Sequence, residues 1–284
     1  MRIRLAPTLL AIACLPSPPP AVTGRAPTVV RIATWNVHDL FDAEDRVVPP
    51  GDEDLVPGPV EVEAKLARVA AVLERLDADL VLLQEVENVA ILARLAALAG
   101  YPAARLVDGN DPRGIDVAAL SRLPLRAYLS HAQEIGPDGR RLWPRDCVEV
   151  LATAGGRPLV LVATHLSSAV SDDGTRRRWQ AARLREIADG ARAGDAAALV
   201  VAGGDLNDVP ESAALEPILG DGAWLDPAPT AEPTWAGPSD AARLDYLLVR
   251  AEVVAALLAA RIERGPDVDA ASDHRPVVLD LRVD

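Results

Sequence analysis

The stretch Ala197–Asp208, AALVVAGGDLND, is an apolar run that stops at two glycines and then delivers an acid, Asp205, and an amide, Asn207. A continuous run of that kind predicts a buried strand over 197–204. The Asp-x-Asn spacing predicts that both side chains leave the strand end on one face. The glycines are expected to let a substrate lie close to the backbone. The carboxyl ends of buried strands are where α/β sheets bind ligands.

Working outward, the same pattern recurs. VVRIATWNV (29–37) ends at Asn36, with His38 just beyond. DLVLLQEV (79–86) ends in Gln84 and Glu85, and RPLVLVATHL (157–166) carries His165. LDYLLVR (244–250) brings Asp245, and SDHRPV places Asp273 and His274 before the strand PVVLDLRV (276–283). IDVAALSR (115–122) and RDCVEVLAT (145–153) are further strands. Between them, Val62, Leu66, Val69, Leu73 and Leu76 recur at helical spacing, and helices are expected over 88–99 and 175–193. Asp208 and Glu211 predict a capping box for a helix over 209–219. A loop fills 42–59, and 251–264 suits a helix or a strand equally. No internal repeat and no second domain boundary are visible. Alternating strands and helices give an α/β class, and strands that follow one another without a helix call for mixed sheets.

Composition narrows the function. The 284 residues carry 29 basic and 42 acidic side chains, a net charge of −13. That excludes a protein that holds nucleic acid by charge alone. One Phe and three Tyr exclude a broad base-stacking platform. At the N-terminus, Arg2 and Arg4 precede LAPTLLAIACL, too short to span a bilayer and suited to a signal peptide. A Pro-rich linker runs to residue 28, leaving one domain over 29–284. AIAC around Cys14 resembles a lipoprotein cleavage site, but Ala11 stands where Leu is usual. Secretion or a periplasmic location is therefore expected over a lipid anchor. Cys147 would be the lone cysteine of the mature chain, so no internal disulfide is expected. A monomer without a stable membrane span is expected.

The polar strand ends form an oxygen-rich set that suits a hard cation such as Mg²⁺, Mn²⁺ or Ca²⁺, and two histidines do not make a zinc site. Each residue alone has a plain structural reading. Glu85 suits a salt-bridged strand end, His165 a bonded core histidine, Asp245 a partner for Arg243, and Asn36 a turn. Their joint order favours one site.

In that order, TWNV, LLQEVEN, RGIDVAALSR, ATHLSS, GGDLND, LDYLLV and SDHRPV resemble the endonuclease/exonuclease/phosphatase superfamily with the deoxyribonuclease I fold. TWNVHDLFD and RGIDVAALSRLPL are most similar to its secreted bacterial nuclease-like branch. The resemblance implies a four-layer α/β/β/α sandwich and phosphoester hydrolysis with a divalent metal. It implies Glu85 as the principal metal ligand, with Asn36 beside it and Asp273 completing the shell. Asp205 would orient or deprotonate water, and Asn207 would hold that water or a phosphate oxygen. His274 would face the phosphate with Asp245 fixing its ring, and His165 would serve as an acid for the leaving oxygen. Two departures stand out. His38, with Asp39 adjacent, occupies a position where an acid is common, so a second metal contact at that position is not expected. Ser167 and Ser168 follow THL, where related chains often carry Lys, so arginines must neutralise phosphate. Arg113, Arg145 and Arg176 are the substrate-binding candidates. Arg141 is a further one, and Gln180 and Arg183 share a helical face with Arg176. Arg177 and Arg178 are read as solvated surface. The implied function is a secreted metal-dependent phosphodiesterase acting on DNA or RNA. The alternative is a phosphatase or phospholipase-type esterase acting on a small or lipid phosphate.

Overall fold

The structure, a computed structural model, describes residues 28–44, 56–170, 172–229, 231–237 and 240–284. The expected leader up to residue 27, Cys14 and much of the 42–59 loop lie outside the described residues.

Two six-stranded sheets form the centre. The first contains β1 (Val29–Leu40), β2 (Leu80–Val86), β3 (Ala103–Leu106), β4 (Asp116–Ser121), β13 (Leu257–Ile262) and β14 (Val277–Arg282), in the order β13-β14-β1-β2-β4-β3. The second contains β5 (Leu125–Ser130), β6 (Cys147–Ala154), β7 (Arg157–His165), β8 (Leu199–Asp205), β9 (Trp224–Leu225) and β12 (Asp245–Arg250), in the order β5-β6-β7-β8-β12-β9. A short ribbon, β10 (Trp235–Ala236) with β11 (Ala241–Ala242), stands apart. In each sheet one central pair is parallel, β1 with β2 and β7 with β8, and all other pairs are antiparallel. The two halves thus repeat one strand pattern, although the sequence shows no repeat. The repeat lies in topology, which very different side chains can satisfy.

A parallel pair needs a crossover, and a helix supplies each one. Helix α1 (Pro59–Leu76) joins β1 to β2, and α3 (Thr175–Gly194) joins β7 to β8. With α2 (Val89–Leu98) and α5 (Pro266–Ala271), α1 covers the outer face of the first sheet. Helix α3 and the short α4 (Glu216–Leu219) cover the second. Helix α2 starts where Asn88 Oδ1 accepts from the amides of Ala90 and Ile91 at 2.8 and 3.0 Å, an N-cap. Between the sheets, Ile32, Leu80, Leu82 and Leu279 meet Val148, Leu161, Val201 and Leu247. The result is the four-layer α/β/β/α sandwich.

Two local expectations are corrected. No helix spans 209–219. Asp208 Oδ2 accepts from Arg177 Nε at 3.0 Å, so Asp208 does not cap, and only Glu216–Leu219 coils. The ambiguous 251–264 segment divides into a 3-10 turn, Ala251–Ala256, followed by β13. None of the described helices is long and apolar enough to cross a membrane.

Candidate active site

Strand alternation builds the site. On β1, Val30 and Ile32 face the inter-sheet core while Ala33, Trp35 and Val37 face the helices. The inward row therefore continues through Thr34 to Asn36. On β7 it runs Leu159, Leu161, Ala163, then His165, and on β8 Leu199 and Val201 lead to Asp205. On β12, Leu247 and Val249 place Asp245 inward at the strand start. The apolar rows of both sheets end on one polar rung at the same rim.

Glu85 departs from this rule. Alternation after Val81 and Leu83 would send it toward the helices. A bulge reverses it: Asn36 pairs with Gln84, and the next pair is Leu40 with Val86. Glu85, His38 and Asp39 adopt φ of 63°, 53° and 53°, the left-handed region that non-glycine residues seldom occupy. The bulge brings the Asp39 amide to 3.0 Å from Glu85 Oε2 and sets the two carboxyl groups together. Burial and then Glu85 raise Asp39 to about 6. An acid thus stands beside Glu85 after all, one residue later than the motif position held by His38.

Asn36 Nδ2 donates to Glu85 Oε1 at 3.0 Å and to Asp205 Oδ2 at 2.9 Å, and its Oδ1 accepts from the His38 amide. Asp205 Oδ1 accepts from the Asn207 amide at 2.9 Å. Its Oδ2 lies 3.4 Å from His165 Nε2 and 3.9 Å from His274 Nε2. His274 Nδ1 meets Asp245 Oδ2 at 2.9 Å. Arg243 pairs with Asp226, at 2.7 and 2.8 Å, so Asp245 is not its carboxylate partner. Burial, then Asp245, raise Asp205 to about 7. Burial opposes charge on His274, yet Asp245 and then Asp205 raise it to about 10, so its ring holds a proton at neutral pH. Burial pushes His165 well below the usual range and keeps it neutral. His165 Nδ1 and Asp245 Oδ1 are buried without a partner.

The glycines of GGD serve the sheet, not the substrate. A Cβ on Gly203 would lie 1.9 Å from the Tyr246 carbonyl oxygen, and one on Gly204 (φ 124°) 2.0 Å from that of Thr164. Neighbouring strands fill the expected substrate space. The strand also stops at Asp205. Asn207 reaches the site through a left-handed turn (φ 52°), its Nδ2 donating to the Leu166 carbonyl at 3.0 Å.

Glu85, His165, Asp205, Asn207 and His274 line one cleft of about 560 Å³, together with Arg113 and Arg145. Arg113 lies 3.4 Å from Asp39 Oδ1 and 3.9 Å from Glu85 Oε1. A larger hollow of about 700 Å³, between Glu87, Asp108 and Asp116, contains no histidine and no arginine. Asp273 is placed otherwise. Its oxygens bind His38 Nδ1 at 2.7 Å and Trp235 Nε1 at 3.0 Å, and it does not line the cleft. Arg176 is directed away, to Asp138 and the Arg141 carbonyl. The whole Arg176, Gln180, Arg183 face fastens the 131–145 loop, with Gln180 on the Leu142 carbonyl and Arg183 on Glu134. Arg177 is buried, not solvated, and binds Asp208 and the Ser167 carbonyl. Arg178 does lie at the surface, on Glu216. Sequence reading passed over Asp111, whose carboxylate meets both cleft arginines.

A divalent cation suits this donor set. Two carboxyl groups in contact, Glu85 and Asp39, ionise together at high cost unless a cation joins them. Asp205, Asp245 and His274 also offer three ligand atoms within 4.8 Å of one another, though the His274–Asp245 hydrogen bond already uses two of these groups.

Residues 33–274 match the Endonuclease/Exonuclease/phosphatase family. Among solved structures, sphingomyelinase C from Streptomyces griseocarneus superposes with a TM-score of 0.60 at 22% identity, over 89% of this chain and 99% of that one. The human Nocturnin catalytic domain with bound sulfate gives 0.66 at 18% identity, over 89% and 94%. TDP2 from Caenorhabditis elegans gives 0.60 at 20%, over 89% and 74%. At these identities the likeness is one of fold. No match is found among curated proteins.

Proposed function

We propose, from the premise that the chain belongs to the Endonuclease/Exonuclease/phosphatase family, that it is a secreted, divalent-metal-dependent phosphodiesterase that cleaves nucleic-acid backbones. The observation that carries this reading is the single Asn36 amide joined to Glu85 of one sheet and Asp205 of the other, with the His274–Asp245 pair alongside. Glu85 and Asp39 would hold the cation, with Asp273 able to join once released by His38. When bound, Mg²⁺ or Mn²⁺ would neutralise a non-bridging phosphate oxygen. Asp205 titrates near neutrality and takes the proton of the attacking water, oriented by Asn36 and the Asn207 amide. His274, protonated at neutral pH, presents Nε2–H to the phosphate and gives that proton to the leaving oxygen as the P–O bond breaks, while Asp245 fixes the ring through Nδ1. His165, held neutral by burial, stands with Nε2 3.4 Å from Asp205 Oδ2. Arg113 balances charge at the acidic pair.

Neutral-pH assays with added Mg²⁺ or Mn²⁺ against plasmid DNA, single-stranded DNA, RNA, sphingomyelin, inositol phosphates and bis(p-nitrophenyl) phosphate test the reading. Cleavage of a polynucleotide and of bis(p-nitrophenyl) phosphate is expected. Hydrolysis confined to a monoester or to sphingomyelin would favour the phosphatase or phospholipase-type alternative. The resemblance of the first residues, ahead of the Pro-rich linker, to a signal peptide supports export, which fractionation of the full-length chain in a bacterial host tests.

A further inference from the structure

One carboxylate supports both arginines of the cleft. Asp111, its side chain 5% exposed, accepts the Arg113 backbone amide at 3.0 Å on Oδ1, which also lies 3.9 Å from Arg113 Nε. Its Oδ2 accepts Arg145 Nε at 2.7 Å. The two guanidinium groups nevertheless have different stations. Arg113 lies against Asp39 and Glu85, where the reacting phosphate would sit. Arg145 donates Nη1 to the Leu166 carbonyl at 2.9 Å, at the peptide that leads into Ser167. With Nε and Nη1 both committed and only 9% of its surface exposed, Arg145 cannot swing to Glu85 without breaking both bonds. Its Nη2 has no protein partner among the described residues.

A second observation lies beside it. Ser167 is 4% exposed, lines the same cleft, and its Oγ is buried with no hydrogen-bond partner. Buried polar groups are nearly always satisfied, so an unpaired hydroxyl lining the same cleft as a fixed guanidinium marks a place for a ligand oxygen.

The geometry points to a second anion subsite, formed by Arg145 and Ser167 and set by Asp111 at a fixed offset from the reacting position, that takes another phosphate of the same substrate. This rests on the phosphodiesterase reading for its first position. The substrate class is then an ester with two phosphates one sugar apart, as in an oligonucleotide, and not a headgroup ester with a single phosphate. Arg145 and Ser167 are specificity-determining residues, and Asp111 is a positioning residue.

Calorimetric titration separates this from turnover. Thymidine 3′,5′-bisphosphate is compared with thymidine 5′-monophosphate and thymidine 3′-monophosphate at fixed salt and Mg²⁺. The bisphosphate should bind wild type about tenfold tighter than either monophosphate, the scale of one hydrogen bond to a charged group. In Arg145→Gln the ratio should fall to about one, and in Ser167→Ala it should fall several-fold. Ser167→Ala keeps the test open if Arg145→Gln fails to fold. Arg140→Gln removes the same charge from an exposed position and should keep the ratio. Equal binding of all three ligands by wild type, or a ratio that survives both cleft variants, overturns the subsite. Turnover of bis(p-nitrophenyl) phosphate without a bisphosphate advantage would refute this inference alone. An advantage without any diester turnover would refute the phosphodiesterase reading and leave the subsite standing.

Discussion

Asn36 is hydrogen-bonded through one nitrogen to two acids from different sheets, Glu85 Oε1 at 3.0 Å and Asp205 Oδ2 at 2.9 Å. This side-chain tie between the sheets fixes the spacing of Glu85 and Asp205 at the rim. Asn36→Ala should lower kcat on bis(p-nitrophenyl) phosphate by roughly 10²–10³, the usual effect of losing one preorganised donor. Leaving buried Asp205 and half-buried Glu85 short of a donor should also cost about 1–3 kcal/mol, read by urea unfolding. A kcat within tenfold of wild type would remove Asn36 from the machinery.

His274 and Asp245 act as one unit, because the 2.9 Å bond fixes which ring nitrogen faces the cleft. His274→Ala should lower turnover by about 10²–10⁴. Asp205→Ala should also lose orders of magnitude. Adding Asp245→Asn to His274→Ala should cost little more, since groups that work through one another are not additive. Independent, multiplying losses in that double variant would show that Asp245 has a separate task.

Glu85 and Asp273 should separate in a metal titration. EDTA should abolish hydrolysis, and Mg²⁺ or Mn²⁺ should restore it. Glu85→Gln should raise the metal concentration needed for half activity far more than Asp273→Asn, because His38 and Trp235 already occupy both Asp273 oxygens. Equal shifts would place Asp273 on the cation with Glu85.

Much of this arrangement was legible beforehand because strands impose a period of two. Apolar rows that end in Asn36, His165 and Asp205 announce a polar rung, and the motif order supplies its partners. What escaped depended on local conformation or on distant contacts. The bulge that turns Glu85 and brings in Asp39 has no signature in LLQEVEN, since neither glycine nor proline marks it. Arg176 and Arg177 are adjacent, but only tertiary packing decides that one fastens a loop while the other is buried on Asp208. Asp111 sits in an ordinary-looking turn and gains its role from Arg145, 34 residues away. The glycine pair answers to the carbonyls of β7 and β12 that crowd it, a contact that local sequence does not display.

Gly204→Ala tests that crowding. The new methyl group would lie 2.0 Å from the Thr164 carbonyl oxygen, at a φ of 124° that L-residues rarely adopt. Overpacking and backbone strain together should cost about 3 kcal/mol or more in urea unfolding. An alanine variant of wild-type stability would mean that β7 and β8 are free to separate at the rim.

His131 should make the 131–145 loop pH-dependent. Its Nδ1 lies 3.0 Å from Glu134 and its Nε2 3.0 Å from Glu149. Asp146 accepts its backbone amide, and Arg183 of α3 and Trp143 also hold Glu134. The hydrogen bond with Glu149 is the main cause that raises the His131 pKa; burial opposes the rise and Glu134 adds to it. A raised folded pKa means the charged ring stabilises the fold. That contribution is fully present below the unfolded pKa of about 6.5 and is lost as pH rises through the folded value. The Tm gap between wild type and His131→Gln should therefore be level from about pH 5 to about 6.5 and close above it. Pro144 and Arg145 continue from this loop into the cleft, so the bisphosphate advantage should weaken over the same rise in pH. A gap that widens with rising pH would show that the ring is held neutral, donating to one carboxylate only.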